Sequence, residues 1–202
     1  MIKNIVFDMG GVLIDYNPEK TLYGMFDRET ADIALSEIFR NEIWREKDRG
    51  TVSAEDILRL KGDKIPARSY EKIAEMTLNL YPYMAPFRQT EELVIRLKAA
   101  GYGIYLLSNA SLDFYENKKG IPALKYFDGW LISADYRLLK PEPEIYQKLF
   151  SKFNLRPDEC FFTDDVEENC EGARLAGMKA YRFSSDDFGG LIGALKENGI
   201  DI

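Results

Sequence analysis

Asp8 closes an apolar run, Ile5-Val6-Phe7, and is followed at once by Met9-Gly10-Gly11-Val12-Leu13, so a carboxylate is delivered where a buried strand meets a glycine turn. A charged side chain in such a place serves chemistry rather than packing. Three further groups follow in order: Leu106-Leu107-Ser108-Asn109, Lys140-Pro141, and Phe161-Phe162-Thr163-Asp164-Asp165. They add a hydroxyl, an ammonium and a pair of acids. The chain has no histidine, which removes Ser-His-Asp and Cys-His nucleophile activation, imidazole bases and imidazole metal ligands together. Catalysis must therefore run on carboxylates, lysine, hydroxyls and backbone groups. Such an oxygen-rich donor set suits a hard cation such as magnesium better than zinc.

The elements that would position these residues are legible from pattern. Short β-like runs at 3–7, 103–108, 129–133, 159–163 and 179–183 alternate with helical patterns, for example 90–100, 142–153 and 166–176, two of them stopped by Gly101 and Gly177. This alternation predicts an α/β fold with a mainly parallel sheet and crossover helices. In open parallel sheets ligands bind outside the carboxyl ends of the strands, and Asp8, Ser108 and Asp164-Asp165 all fall there, with Lys140 on the loop after the 129–133 run. Between the first and second strands lies an interval of roughly 95 residues, too long for a βα connection, so a subdomain is inserted. Its pattern is helical, Ser53 with Asp56 three residues on resembles a capped helix start, and its limits fall near residues 16 and 86. The expected organisation is a core of 1–15 and 87–202 with a helical insertion of 16–86.

Composition bounds the function class. With 202 residues, 46% hydrophobic and 30% charged, the chain has enough apolar content for one substantial core and is neither disordered nor fibrous. A net charge of −7 with no compact basic run argues against nucleic acid. No apolar stretch approaches a membrane span, and the N-terminus begins a strand directly, which predicts a cytoplasmic protein with no membrane partner. Cys160 and Cys170 lack metal or redox spacing and read as buried free thiols.

In this order, Phe7-Asp8-Met9-Gly10-Gly11-Val12-Leu13, Leu107-Ser108-Asn109, Lys140-Pro141-Glu142-Pro143-Glu144-Ile145-Tyr146 and Phe162-Thr163-Asp164-Asp165 resemble the four motifs of the haloacid dehalogenase-like hydrolase superfamily. Glycine two places after Asp8, Asp15 seven places after it and an Asp-Asp fourth motif are similar to bacterial sugar-phosphate phosphatases acting on glucose 1-phosphate. The resemblance implies a Rossmann-like three-layer α/β/α core, a helical cap that closes over a small phosphorylated substrate, and a magnesium-dependent phosphatase. It implies Asp8 as the nucleophile that forms an aspartyl-phosphate. Magnesium would be held by Asp8, the Gly10 carbonyl and Asp165, with Asp164 directly or indirectly involved. Ser108 and the Asn109 N–H would hold phosphoryl oxygens, and Lys140 would bridge nucleophile and phosphoryl group. Trp44, Arg45 and Arg49 are candidate substrate contacts from the cap, against the plainer reading of a core Trp and solvated arginines. Asn169 reads as a structural loop contact.

Gly10 departs from the family pattern, which places an aspartate there as general acid and base. Glycine keeps the carbonyl and loses the acid, a loss worth about 10²- to 10⁴-fold in rate. Two expectations follow: a substrate with a good leaving group, such as a sugar 1-phosphate, or Asp15 standing in through a water, against the plainer reading of Asp15 as a loop or substrate-orienting residue. Two rival functions are a metal-free 2-haloacid dehalogenase, disfavoured by the Asp164-Asp165 pair, and a protein that binds a phosphorylated ligand or a partner without turnover.

Overall fold

The computed structural model describes residues 1–201; Ile202, the last residue assigned to the core, lies outside the described residues. Five strands, β1 (Asn4–Phe7), β2 (Gly103–Ser108), β3 (Gly129–Ile132), β4 (Cys160–Asp164) and β5 (Lys179–Arg182), form one sheet in the order β3-β2-β1-β4-β5. All four pairings are parallel. The order reverses at β1, where the chain builds first toward β3 and then toward β5, and the crevice between β1 and β4 is the topological switch point.

Among the described residues eleven α-helices accompany the sheet: α1 (Pro18–Met25), α2 (Arg28–Ala34), α3 (Glu42–Arg49), α4 (Ala54–Lys61), α5 (Tyr70–Leu78), α6 (Arg88–Ala99), α7 (Phe114–Asn117), α8 (Ser133–Tyr136), α9 (Pro143–Phe153), α10 (Glu167–Leu175) and α11 (Phe188–Glu197). Alternation along β1 divides the core. Ile5 and Phe7 pack with Leu93 and Leu97 of α6 and Leu191 and Leu195 of α11. Val6 faces the other way, with Leu107, Leu131, Ile145 and Leu149 of α9, and Ala173 of α10. The fold is thus a three-layer, Rossmann-like α/β/α core whose central strands are buried on both faces. Cys160 and Cys170 are buried free thiols, and burial pushes them up to about 11 and about 12.

Helices α1 to α5 lie between β1 and α6 and gather around their own cluster, including Leu22, Ile38, Ile57, Ile73 and Met76. Their ends follow the sequence chemistry. Asn17 caps α1, with Pro18 at its first position, and Ser53 and Asp56 exchange 3.1 Å hydrogen bonds across the start of α4. The incoming and outgoing segments run side by side: Asp15 N–H donates to Ala85 O at 2.8 Å and Phe87 N–H to Leu13 O at 2.9 Å. Among the described residues no helix is long and apolar enough to cross a membrane.

Candidate active site

Asp8 leaves β1 still tied to β4, because its N–H donates to Thr163 O at 2.9 Å. The register Phe7↔Thr163 therefore sets Asp8 beside Asp164, the last residue of β4, at the switch point. Lys140 arrives on the loop between α8 and α9. Its Nζ lies 2.7 Å from Asp8 Oδ1 and 2.6 Å from Asp164 Oδ2, and it donates to Leu107 O at 3.0 Å. The approach to Asp8 is an ion pair off the hydrogen-bonding direction, which leaves buried Oδ1 without an aligned donor. Asp164 is fully engaged: Asn169 Nδ2 donates to both its oxygens at 3.0 and 3.1 Å, and Val166 N–H to one at 2.9 Å.

Asp165 turns toward the glycine loop. Gly11 has φ +69, and a Cβ there would collide with the Asp165 carboxylate, so both the backbone and the neighbouring acid require glycine. One oxygen from each of Asp8, Asp164 and Asp165 lies within 4.8 Å of the others. A single ammonium faces these three acids, and the imbalance registers in their affinity for protons. Burial pushes Asp8 up to about 7; Lys140 opposes this, while Asp164 and Asp165 add to it. Burial and the Asp164 charge also raise Asp165. Burial disfavours the Lys140 ammonium, but Asp164 and Asp8 overcome it and hold the group above its ordinary value. Hard oxygens crowded in excess of positive charge are the donor set a magnesium ion fits.

Above these residues is a cavity of about 290 Å³. Asp8, Lys140 and Asp165 form its floor, and Asn109 and Ser111 contribute to its wall. The insertion supplies the opposite side with Trp44, Lys47 and Asp48 of α3 and with Tyr16, whose ring stands beside Gly10. A Cβ on Gly10 would lie 3.3 Å from Tyr16 Cβ.

Four consecutive residues pin the end of α3 to the core. Lys47 Nζ donates to Asp113 at 2.5 Å and to Ser111 Oγ at 3.0 Å. Ser133 Oγ donates to Asp48 O at 2.5 Å. Arg49 pairs with Glu142 at 2.6 Å and donates to Arg137 O at 3.2 Å. Gly50 ends the helix at φ +77, with Ala134 O 2.7 Å from where a Cβ would be.

The structure brings Asp8, the Gly10 segment, Asn109, Lys140, Asp164, Asp165 and Trp44 together and leaves three other candidates out of the cavity lining. Asp15 pairs with Lys20 at 3.1 Å and does not line the cavity, because its segment runs outward beside Ala85. Arg45 is on the outer side of α3, paired with Glu42 at 3.7 Å. Arg49 is spent on Glu142 and Arg137 and acts as a clamp. Ser108 ends β2 at 1% exposure, behind a cavity wall carried by Asn109 to Ser111. Asn169 makes the structural contact expected of it, to Asp164. Lys47 and Asp48 were not singled out from sequence, although they follow Trp44 at i+3 and i+4 and so share its helix face.

A family model described as haloacid dehalogenase-like hydrolase matches residues 2–177. The chain belongs to this family. As a haloacid dehalogenase-like protein it is a hydrolase, and two curated relatives match nearly its whole length. It is 28% identical over 177 residues to the sesquiterpene phosphatase AstK of Aspergillus oryzae, covering 87% of each chain. It is 27% identical over 197 residues to the D-ribitol-5-phosphate phosphatase of Bacteroides thetaiotaomicron, covering 90% of this chain and 92% of that one. A family enzyme of Bacteroides thetaiotaomicron, solved with magnesium and inorganic phosphate, superposes with TM-score 0.71 at 23% identity, covering 95% of this chain and 99% of that one. That likeness concerns the fold.

Proposed function

We propose that this hydrolase is a magnesium-dependent phosphatase of a small phosphorylated metabolite. The observation that carries the reading is Lys140 bridging Asp8 and Asp164 within a three-carboxylate cluster. Asp8 is the nucleophile: its free oxygen attacks phosphorus and forms an aspartyl-phosphate, which water then hydrolyses. Lys140 holds the nucleophile in place and offsets its charge. The Asn109 N–H, just past the end of β2, orients phosphoryl oxygens, with buried Ser108 behind it. Asp8, Asp165 and the Gly10 carbonyl would hold magnesium. Asp164, already engaged by Lys140, Asn169 and Val166, sets the position of the ligands rather than serving as the main one. When bound, the ion supplies the positive charge that lets a carboxylate meet a phosphate dianion.

Two relatives across nearly the whole chain bear phosphatase names, which supports this reaction class. The cavity of about 290 Å³ suits a small metabolite, and helices α1 to α5 act as the cap over it. A metal-free dehalogenase has no use for a third, half-buried acid beside Asp8 and Asp164, and Asp165 weighs against that reading. The test is a screen of phosphorylated metabolites with and without magnesium, using Asp8→Asn as the blank. Magnesium-dependent release of phosphate by the wild type alone is expected; release that persists in Asp8→Asn, or none from any ester, overturns the reading.

A further inference from the structure

The core has glycine at position 10, so no acid on the β1 loop can protonate a leaving group or activate water. Four carboxyls line the cavity: Asp8, Asp48, Asp113 and Asp165. Asp8 and Asp165 belong to the proposed magnesium cluster, and Asp113 pairs with Lys47 at 2.5 Å and accepts a hydrogen bond from Ser111 Oγ at 2.9 Å. Asp48 differs. Among the described residues no side chain forms a hydrogen bond or ion pair with its carboxyl, because Lys47, the adjacent cation, is turned to Asp113. Its backbone is nevertheless fixed, through Ser133 Oγ to Asp48 O and the flanking Lys47 and Arg49 clamps.

From this geometry, and resting on the phosphatase reading above, we propose that Asp48 is the general acid and base of the reaction, supplied by the insertion in place of the residue that Gly10 lacks. In the first step Asp8 forms a bond to phosphorus while the ester P–O bond breaks. The departing oxygen takes the bonding pair and the Asp48 proton and leaves as an alcohol. In the second step the Asp48 carboxylate takes a proton from water as the water oxygen bonds to phosphorus. The bond from phosphorus to Asp8 breaks, its electron pair returns to Asp8, and inorganic phosphate and protonated Asp48 are regenerated.

The surroundings suit a group that cycles between two protonation states. Burial pushes the Asp48 carboxyl up to about 7, with Lys47 opposing, Asp113 adding, and the Ser111 N–H and Lys140 opposing. Tyr16 and Tyr81 also face it, and both phenols are held above their ordinary range, chiefly by burial and by the Asp48 charge, so they remain neutral. Tyr16 stands beside the space a Gly10 side chain would enter, so the acid comes from the roof instead.

The assignment is tested by kcat/KM over phosphate monoesters of graded leaving-group acidity, in wild type and Asp48→Asn with saturating magnesium. With its acid in place the wild type should depend weakly on the leaving group. Asp48→Asn should lose about 10²-fold or more on an alkyl phosphate and little on 4-nitrophenyl phosphate, whose departing oxygen needs no proton. The alkaline limb of the wild-type profile on the alkyl ester, set by Asp48 near 7, should disappear in the variant, and Asp48→Glu should restore part of the rate. An equal loss on both esters, no loss on either, or a steep leaving-group dependence already in the wild type overturns the proposal while leaving the phosphatase reading intact. Should Asp48→Asn not fold, the wild-type slope and alkaline limb decide alone. A wild type inactive on every ester overturns both readings.

Discussion

The Asn109 carboxamide and the Lys140 backbone clasp each other: Asn109 Nδ2 donates to Lys140 O at 3.1 Å, and Lys140 N–H donates to Asn109 Oδ1 at 2.8 Å. This pair joins the end of β2 to the loop before α9 and sets where the ammonium meets Asp8 and Asp164. Asn109→Ala should lower kcat by about 10- to 100-fold with a smaller change in KM, since it displaces Lys140 without removing it. Steady-state kinetics beside a denaturation curve check this; an unchanged kcat would show that Lys140 holds its place unaided.

Asp8 makes the fold pay for its own reactivity, and the effect depends on pH. Its carboxyl is about 7 in the folded chain against an ordinary 3.8, so the folded state keeps a proton that the unfolded state releases. The contribution of Asp8 to stability without magnesium is therefore fully present below about 4 and is lost as pH rises toward 7. Asp8→Asn should be more stable than the wild type at pH 8 in chelator, with the difference vanishing near pH 4. The same variant should lose at least about 10³-fold in activity. Thermal unfolding at both pH values and phosphate release provide the measurements.

Magnesium should reverse that order. An ion bound by the ionised acids stabilises the folded chain by mass action, about 2.7 kcal/mol at a hundredfold excess over Kd. The wild-type melting temperature should rise with added magnesium, and the rise should be small or absent in Asp8→Asn and Asp165→Asn. Equal shifts in all three proteins would place the ion elsewhere.

Gly11→Ala tests the loop that admits Asp165. The left-handed backbone alone should cost about 1 to 2 kcal/mol, and the added methyl must displace the Asp165 carboxylate. Both stability and the magnesium-induced shift should fall. A variant with normal magnesium response would mean that Asp165 can turn away without consequence.

The Lys47–Asp113 and Arg49–Glu142 pairs hold the insertion against the core. Lys47→Met leaves Asp113 partly buried without its cation and should cost about 1 to 3 kcal/mol. Proteolysis within 16–86 should quicken relative to the core, and KM should rise as the roof loosens. Limited digestion with and without ligand measures both.

Much of the core was legible because its signals are local. The expected runs 3–7, 103–108, 129–133, 159–163 and 179–183 meet strands Asn4–Phe7, Gly103–Ser108, Gly129–Ile132, Cys160–Asp164 and Lys179–Arg182. Buried parallel strands are nearly continuous in apolar residues, and glycine marks helix ends, so composition alone outlines them. The sheet order was not legible, since pairing partners lie far apart in the chain. The short helices Phe114–Asn117 and Ser133–Tyr136 and the π-helical turn Leu35–Phe39 have too few residues to show a period. On α3 Arg45 and Arg49 were named beside Trp44 as candidate contacts, against the plainer reading of solvated arginines; position relative to Trp44 selects the face that meets the core, and that face carries Lys47 and Asp48. Asp15 looked eligible by its distance along the chain from Asp8, and the outward run of its segment removes it.

The placement of β1 between β2 and β4 separates two kinds of motion. Amide hydrogens of Ile5 to Asp8 lie on the central strand, paired with β2 on one side and β4 on the other, and should exchange with deuterium slowly, on opening of the sheet. The roof, joined to the core by the polar contacts of α3 and by Tyr81 and Met84 packed on the core cluster, should open at lower cost. Deuterium should therefore enter α3 before it enters β1, with Asp8 still held at its place on the sheet.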